Sequence, residues 1–310
     1  MLAAQFCFGS LPVIGKTVLA VVPAVALGGV RTAITCAIFI VVQMIRGVIA
    51  YSRETPPDPR SGVRPELIRN GIFSAFWLKE RSDYRRFAVL SLFGVVLNQL
   101  FFIGGLSLTT ASNTSLLAVM IPVFALAVGS LLGFERLTKI KIIGIILAAI
   151  GVIILIDPRK ASFSSQTTLG DIFIVINCLA YGIYVATSRE AIMRNGIFRS
   201  MMWVFIFASI VTIPLGVWSL SSIDIASVEP RIWWTILWIG IGATAAPYLL
   251  NAYALSKVDP SMVAVFVYLQ PLIGFSLAVL FLGESITTIF IAASLLIFVG
   301  VFLVTRKFAT

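Results

Sequence analysis

Two stretches of the chain share one pattern: SNTSLLAVMIPVFALAVGSLLGFERLTKIKIIGIILAAIG at 112–151 and SMVAVFVYLQPLIGFSLAVLFLGESITTIFIAASLLIFVG at 261–300. They align without an insertion at an offset of 149 residues, which places Pro122 on Pro271 and Glu135 on Glu284. Each copy reads as a serine-containing loop, an apolar helix with a proline, a turn with a glutamate and a second apolar helix. An internal repeat of this length predicts two related halves, which we place at 1–160 and 161–310.

The composition predicts that both halves lie in a lipid bilayer. Of the 310 residues 59% are hydrophobic and 12% charged, and the mean hydropathy is +1.05; soluble globular chains are about 25% charged. A membrane-spanning helix needs about 20 apolar residues. Segments of that kind lie near 2–22, 27–50, 87–106, 110–132, 138–156, 169–188, 199–219, 232–252, 260–282 and 286–305. The sequence therefore predicts an all-α membrane protein with ten transmembrane helices, and the alternating pattern of a β-barrel is absent.

The number of spans and the placement of charge predict the topology. Five spans in a half is an odd number, so the second half enters the membrane from the opposite side and the repeats are inverted. With a cytoplasmic N-terminus, the outside loops hold Arg159, Lys160 and Arg231, the spans hold Lys16 and Arg31, and the other eighteen of the 23 basic residues lie inside. This bias predicts cytoplasmic termini in a multi-pass protein of the inner or plasma membrane. Because the basic residues are scattered among loops, nucleic-acid binding is not expected.

The loop at 51–86 is the largest departure from the repeat. Its prolines and glycine at 56–62 indicate an extended linker. The residues that follow mix large apolar side chains (Ile72, Phe73, Phe76, Trp77 and Leu78) with basic ones (Lys79, Arg81, Arg85 and Arg86). A basic, aromatic stretch beside a span is typical of a segment on the anionic inner leaflet. We interpret it as an anchor for the third span; a regulatory or partner-binding role is the alternative.

The residues that enzymes use most are missing or isolated. The chain has no histidine, and Cys7, Cys36 and Cys178 lie in three different spans, so neither a metal site nor a cofactor is predicted. The stretch from Gly9 to Lys16 imitates a phosphate-binding loop, but it has five residues between its glycines instead of four and no preceding strand. We expect that the protein is not an enzyme. The alternative from another class is a polytopic membrane protein that does not transport, such as an enzyme or an assembly factor.

At this point the chain resembles the EamA-type branch of the drug/metabolite transporter superfamily. The residues that carry the resemblance are Phe8-Gly9-Ser10, Arg31, the two Ser-x9-Pro-x12-Glu blocks that start at Ser112 and Ser261, and Gly283-Glu284-Ser285. The resemblance covers the chain outside 51–86. It implies a basket of ten helices with a central cavity lined by helices 1, 3, 4, 6, 8 and 9, helices 5 and 10 at the periphery, and transport of a small metabolite.

Charged residues inside the spans constrain the cargo. None of the thirteen acidic residues lies in the middle of a span, whereas proton-coupled export of cations usually depends on such a carboxylate. Lys16 and Arg31 lie within spans, where a central basic residue costs about 2.5–3.5 kcal/mol. Two interpretations remain open for each of them: the side chain snorkels to the outer interface, or it attracts a carboxylate or phosphate of the substrate.

Uncharged polar residues within the spans predict where the substrate binds. Together with Lys16 and Arg31, the candidate substrate-binding residues are Asn98, Gln99, Tyr181, Tyr184, Tyr248, Asn251, Tyr268 and Gln270. Polar side chains in a bilayer must find partners, so each of these faces either the cavity or another helix. As a group they suit a neutral or zwitterionic metabolite with an apolar body.

Proline and glycine positions predict flexible and closely packed helices. Pro122 and Pro271 each remove one backbone hydrogen bond, which gives the fourth and ninth helices either a gating hinge or a static kink. The spacing of Gly129 and Gly133 favours close packing of the fourth helix, within the fold or in a homodimer.

The sequence therefore predicts a secondary transporter that works by alternating access and exports amino acids or related small metabolites. An exchanger of sugar phosphates or organic anions is the alternative within transport. The expected partners are a small-molecule substrate and the lipid bilayer.

Overall fold

The computed structural model describes residues 1–54, 76–109, 114, 117–136, 138–156, 165–270, 272–273 and 288–305. Within these ranges the side chains of 12, 13, 16, 50–54, 155–156, 165–166, 290 and 305 are not described. Most of the linker at 51–86 therefore lies outside the described residues, as do Pro271 and Glu284. Over the described ranges the chain is α-helical and contains no strand.

Ten helices are found along the described parts of the chain. They are α1 (Leu2–Leu19), α2 (Ala24–Glu54), α3 (Arg81–Leu108), α4 (Met120–Leu131), α5 (Lys139–Ile156), α6 (Ser165–Asn195), α7 (Ile197–Leu220), α8 (Pro230–Leu255), α9 (Pro260–Val265, continued by the 3₁₀ turn Phe266–Tyr268) and α10 (Thr288–Thr305). Five of them, α2, α3, α6, α7 and α8, are long and apolar enough to cross a bilayer, and α1, α4 and α10 contain shorter apolar stretches. The described chain is a multi-pass helical membrane protein, and the count of ten spans stays a prediction.

Several helices extend further than hydropathy predicts. Helix α3 begins at Arg81, six residues before the predicted span, and α6 continues to Asn195. The extra turns are rich in charged residues that are compatible with a helix but not with a bilayer. A window of apolar residues therefore finds the part of a helix inside the membrane and misses the turns that project beyond it.

Two helices contain π-helical turns at equivalent positions. The turn in α3 covers Leu92–Leu97, and the turn in α8 covers Ile241–Ala245. Their starts are separated by the same 149 residues as the two sequence copies. In α8 the wider turn lies directly before Pro247, whose ring would clash with a regular helical carbonyl four residues earlier. Single π turns inside α-helices are frequent at functional sites.

Helices α5 and α10 pack against each other in antiparallel orientation through glycines. A Cβ added to Gly144 would lie 2.8 Å from the carbonyl oxygen of Gly300, and one added to Gly151 would lie 2.9 Å from that of Ala293. A side chain at either glycine would force the backbones apart. The offset of 149 exchanges the two contacts, because Gly144 corresponds to Ala293 and Gly151 corresponds to Gly300.

Helices α4 and α9 depart from regular α-helix at equivalent places. Residues 118–119 form a turn before α4, and residues 266–268 form a 3₁₀ turn after α9. Pro122 therefore lies in the first turn of α4 and not in the middle of a continuous helix over 110–132. A proline is tolerated there because the first amides of a helix lack intrahelical partners.

Of the predicted packing pair Gly129 and Gly133, only Gly129 lies within α4, where its added Cβ would be 3.8 Å from the Cβ of Ala186 on α6. Gly133 lies beyond the end of α4 with φ +71°, a left-handed conformation that favours glycine, and no atom lies within 4 Å of its added Cβ. The amide of Phe134 donates to the carbonyl of Gly129 at 2.8 Å. Gly133 is thus the C-terminal cap of α4, and a homodimer stays a prediction.

Candidate functional site

A cavity of about 100 Å³ lies in the middle of the bundle. Its lining is mostly apolar and aromatic, with a few polar groups. The lining residues are Phe8, Leu11, Arg31, Asn98, Phe102, Thr114, Ala118, Ile121, Ile174, Asn177, Tyr181, Ala243, Tyr248, Val267 and Gln270. They come from α1, α3, α6, α8, α9 and the region of α4, the same six helices that the resemblance implies, and from α2 through Arg31. The described side chains of α5 and α10 contribute none of these lining residues.

Arg31 enters the cavity wall from about two turns inside α2. Its side chain is 3% exposed, so it does not snorkel to the surface. The guanidinium Nε donates a hydrogen bond to the side-chain oxygen of Gln99 at 2.9 Å. The hydroxyl of Thr32, which donates to the carbonyl of Gly28 at 2.8 Å, lies 3.1 Å from the same glutamine oxygen. The Nη1 atom of Arg31 is buried and has no hydrogen-bond partner. The geometry fixes one edge of the guanidinium and leaves donor capacity unused.

Tyr248 connects the two helices that carry π turns. Its hydroxyl donates to the carbonyl of Gly94 at 2.5 Å and lies 3.2 Å from the side-chain oxygen of Asn98. Gly94 belongs to the π turn of α3, and Tyr248 follows the π turn of α8. The side-chain nitrogen of Asn177 donates to the backbone oxygen of Asn98 at 2.7 Å, which joins α6 to the same group. These hydrogen bonds of Tyr248, Asn98 and Asn177 therefore connect three of the cavity helices, α3, α6 and α8.

Aromatic rings form the adjoining wall of the cavity. The ring of Phe8 lies edge-on to Tyr181 and Tyr248, with centroids 6.4 Å and 5.9 Å away. Tyr184 stacks behind Tyr181 at 6.0 Å, and the amide nitrogen of Asn251 donates to the Tyr181 hydroxyl at 2.6 Å. Such edge-to-face and stacked contacts hold rings in fixed orientations. This wall is apolar, and the hydrogen bond from Asn251 fixes the position of the Tyr181 hydroxyl.

Gln270 lies where α1 and α9 meet. Its side-chain nitrogen donates to the side-chain oxygen of Gln5 at 2.8 Å. Gly9, one turn further along α1, lies next to Gln270, and an added Cβ there would be in ordinary contact distance, 3.6 Å from the Gln270 carbonyl oxygen. Gln5 is not among the predicted site residues, although a glutamine in an apolar first helix needs a partner in a bilayer.

The structure thus brings five of the predicted site residues to the cavity surface: Arg31, Asn98, Tyr181, Tyr248 and Gln270. Gln99, Tyr184 and Asn251 are buried directly behind them, each in contact with a lining residue. Tyr268 points away, and its hydroxyl donates to the carbonyl of Val119 at 3.0 Å among side chains of α5 and α10. Pro271 and the side chain of Lys16 lie outside the described part of the structure.

Comparison with known proteins identifies the family. The model of the EamA-like transporter family matches the chain over residues 1–157 and again over 168–306. The chain belongs to the EamA-like transporter family. An uncharacterized transporter from Archaeoglobus fulgidus is 26% identical over 73% of this chain and 78% of its own length. A Salmonella typhimurium protein named "Probable amino-acid metabolite efflux pump" is 25% identical over 58% of this chain and 62% of its own length.

A solved structure supports the fold of this EamA-like transporter. A crystal structure that is 18% identical in sequence superimposes with a TM-score of 0.72 and covers 98% of this chain and 94% of its own. The family membership also agrees with the resemblance that Arg31 and the two Ser-x9-Pro-x12-Glu blocks indicate.

Charged side chains join the ends of several helices on one side of this EamA-like transporter. We call this region the charged end; it consists of residues 76–86, 133–136, 138–141, 189–195 and 257–261. Arg194 pairs with the fully buried Asp83 at 2.7 Å and with Glu80 at 3.2 Å, and Arg86 pairs with Glu190 at 2.7 Å. These pairs connect the start of α3 to the end of α6.

Glu135 is the buried centre of the charged end. Its side chain is 2% exposed, forms an ion pair with Lys141 and accepts hydrogen bonds from both the hydroxyl and the backbone amide of Ser261. Asp259 continues the group through Arg189 at 3.0 Å and Lys141 at 3.6 Å. The loop between α4 and α5 is thereby attached to the first turn of α9, across the two predicted halves.

Proposed function

We propose that this family member is a secondary transporter that exports amino acids or related small metabolites by alternating access through the central cavity. The observation that carries the proposal is the cavity itself, enclosed by helices of both predicted halves and furnished with a few oriented polar groups. Pockets of this composition are typical of small-molecule sites. The efflux activity in the name of the Salmonella relative is in keeping with export.

The inverted repeat, a common architecture of alternating-access transporters, has support in the helix boundaries. Helix α5 spans Lys139–Ile156 and α10 spans Thr288–Thr305, and both bounds differ by 149. The π turns of α3 and α8 start at the same offset. Exchange of the antiparallel α5 and α10 requires a two-fold axis perpendicular to both helices. Such an axis lies in the membrane plane, which is the symmetry of inverted repeats.

The charged end supplies a closure on one side of the cavity. The positive-inside rule assigns this end to the cytoplasm, together with both termini, in the inner or plasma membrane. The contact of Glu135 with Ser261 joins the halves there, and the irregular turns beside Pro122 and at 266–268 give α4 and α9 points at which to bend. Opening this contact would admit substrate from the cytoplasm.

One observation favours the organic-anion alternative. Arg31 brings a positive charge to the cavity wall, and no carboxylate accompanies it among the described lining residues. An enzyme has no comparable support, because the described part of the cavity lining offers no acid and base side by side.

Counterflow into liposomes tests the proposal. Purified protein is reconstituted, preloaded with a panel of unlabelled amino acids and organic acids, and assayed for uptake of the labelled compounds. We expect saturable counterflow of at least one compound. Ala118→Phe, which fills the cavity, should abolish it, whereas Ala292→Phe on the exposed face of α10 should retain it. Absence of counterflow for the whole panel, or equal flux in both variants, would contradict transport through this cavity.

A further inference from the structure

We propose that Arg31 is the carboxylate-binding group of the cavity, so that the cargo is a small metabolite with one carboxylate. This inference rests on the proposed function and specifies its substrate class. It is carried by the position of the guanidinium at the cavity wall, by its fixed edge and by its unused donor.

The orientation of Arg31 is set by the helices that surround it. The side-chain oxygen of Gln99 on α3 accepts from Nε at 2.9 Å, and the hydroxyl of Thr32 lies 3.1 Å from the same glutamine oxygen. The guanidinium is planar and presents its donors in a fixed fork. With Nε held by Gln99 and Nη1 buried without a partner, the side chain is preorganised and the two N–H groups of Nη1 remain for a ligand.

No protein carboxylate neutralises this charge within the described structure. The buried acidic residues belong to other contacts: Asp83 to Arg194, Glu135 to Lys141, and Asp171 to the hydroxyl of Thr109 at 2.6 Å. A buried charge without a counter-ion is costly in a medium of low dielectric constant. An anionic ligand group at Arg31 would remove that cost, whereas a cationic cargo would add a second unpaired charge.

The remainder of the lining selects the rest of the molecule. Besides Arg31, the lining contains the apolar side chains of Phe8, Ile121 and Val267 and the amides of Asn98 and Asn177. A cavity of about 100 Å³ is smaller than the roughly 150 Å³ cavity that holds benzene. The expected cargo therefore has only a few carbon atoms, and the amide oxygens can accept from its hydroxyl or amino group.

The number of charges favours a carboxylate over a phosphate ester. One arginine balances one negative charge, and the lining contains no second basic residue among those described. A phosphate monoester carries a charge of about −1.5 to −2 at neutral pH, which would leave negative charge uncompensated. Inorganic phosphate is therefore a probe that separates the two ligand chemistries.

Thermal stability of the full-length protein in detergent gives a direct binding test. The probes are lactate and alanine, which carry a carboxylate, their amides lactamide and alaninamide, which match them in shape, and inorganic phosphate. We expect lactate or alanine to raise the melting temperature by about 2 °C or more at saturation, and neither amide to do so. Arg31→Gln should raise the carboxylate concentration needed for half of this stabilisation by about 10- to 100-fold.

Arg46 provides the matched control. It lies on the same helix, outside the cavity, with its guanidinium 4.2 Å from the ring centroid of Phe198. Arg46→Gln removes the same charge and should leave the carboxylate effect intact. Arg31→Lys keeps the positive charge but lacks the planar fork of donors. It should bind the carboxylate at a concentration between those of the wild type and Arg31→Gln, so the test does not depend on the glutamine variant alone being folded.

The outcomes separate this inference from the proposed function. A carboxylate effect that persists in Arg31→Gln, equal stabilisation by the amides, stabilisation by phosphate alone, or no response of the wild type to either carboxylate would overturn the role of Arg31. Counterflow of an uncharged compound in Arg31→Gln at wild-type rates would uphold transport and reject the carboxylate site. Carboxylate binding without counterflow would uphold the carboxylate site and reject transport.

Discussion

At the scale of single residues, the sequence identifies which side chains need partners but not which side of a helix provides them. A polar residue in a span must face protein or water, and this argument leads to Tyr248 and Tyr268 alike. The structure separates them: Tyr248 lines the cavity, and Tyr268 packs towards α5 and α10. Local spacing carries no information on this difference, because the neighbours come from distant parts of the chain.

The two tyrosines form a matched pair for mutagenesis. Each hydroxyl donates to a backbone carbonyl, that of Gly94 for Tyr248 and that of Val119 for Tyr268. We expect Tyr248→Phe to lower counterflow about tenfold, because it releases the polar group that joins α3 and α8 at the cavity. Tyr268→Phe should reduce stability by about 1 kcal/mol and leave the kinetics of counterflow unchanged.

Measurement of flux and of thermal unfolding on the same preparations checks this pair. Equal flux in the two variants would show that the cavity assignment is wrong. Loss of folded protein in Tyr248→Phe would be visible in the unfolding curve and would be distinguished from a defect in transport.

The charge of Arg31 has a consequence for the empty protein. Replacement of a buried ionic group by an apolar side chain of similar size is often neutral or stabilising. Arg31→Met should therefore leave the unfolding free energy of the ligand-free protein unchanged or raise it by about 1 kcal/mol, while carboxylate binding is lost. A decrease of about 3 kcal/mol or more in denaturant unfolding would instead indicate that Arg31 serves the fold.

At the scale of helices, the repeat register adds to hydropathy because it predicts which helices correspond. Hydropathy approximates the starts of α5 and α10, and the offset of 149 residues relates one start to the other. The register does not reveal the π turns, because an extra residue in a helical turn leaves no trace in an apolar segment, and in α3 no proline marks the position. The sequence also does not distinguish a helix cap at Gly133 from a packing motif, because a glycine four residues after Gly129 fits both.

The contact of α5 with α10 predicts a sharp difference between two glycines. A Cβ on Gly300 would lie 2.6 Å from the backbone nitrogen of Ala148, whereas a Cβ on Gly15 meets its nearest side-chain atom at 3.9 Å. We expect Gly300→Ala to destabilise the protein by about 1–3 kcal/mol through overpacking. Gly15→Ala should stabilise it by about 0.5–1 kcal/mol, because alanine favours the helix. Thermal unfolding of both variants tests the predicted order.

At the scale of the whole molecule, the two halves are joined at the charged end by groups of very different burial. The side chain of Glu135 is 2% exposed, and that of Glu190 is 64% exposed. Exposed ion pairs contribute about 0–1 kcal/mol, whereas removal of one partner of a buried pair is costly. The sequence shows that Glu135 recurs as Glu284, but only the structure shows that it reaches Ser261 in the other half.

This difference predicts which glutamate keeps the charged end closed. Glu135→Gln should weaken the attachment of α9 and increase labelling of a cysteine at Val267 by a membrane-impermeant maleimide from the cytoplasmic side. Glu190→Gln should leave labelling at the wild-type rate. Equal labelling in the two variants would show that Glu135 does not control access to the cavity. The native Cys7, Cys36 and Cys178 are replaced in all of these variants.

The most direct test of alternating access is to lock the charged end. Cysteines replace Glu135 and Ser261 in the background without native cysteines, and a short reducible cross-linker joins them in liposomes. We predict that cross-linking abolishes counterflow and confines labelling of a cysteine at Val267 to the outer side, and that reduction reverses both effects. Full counterflow with the cross-link in place would contradict this prediction.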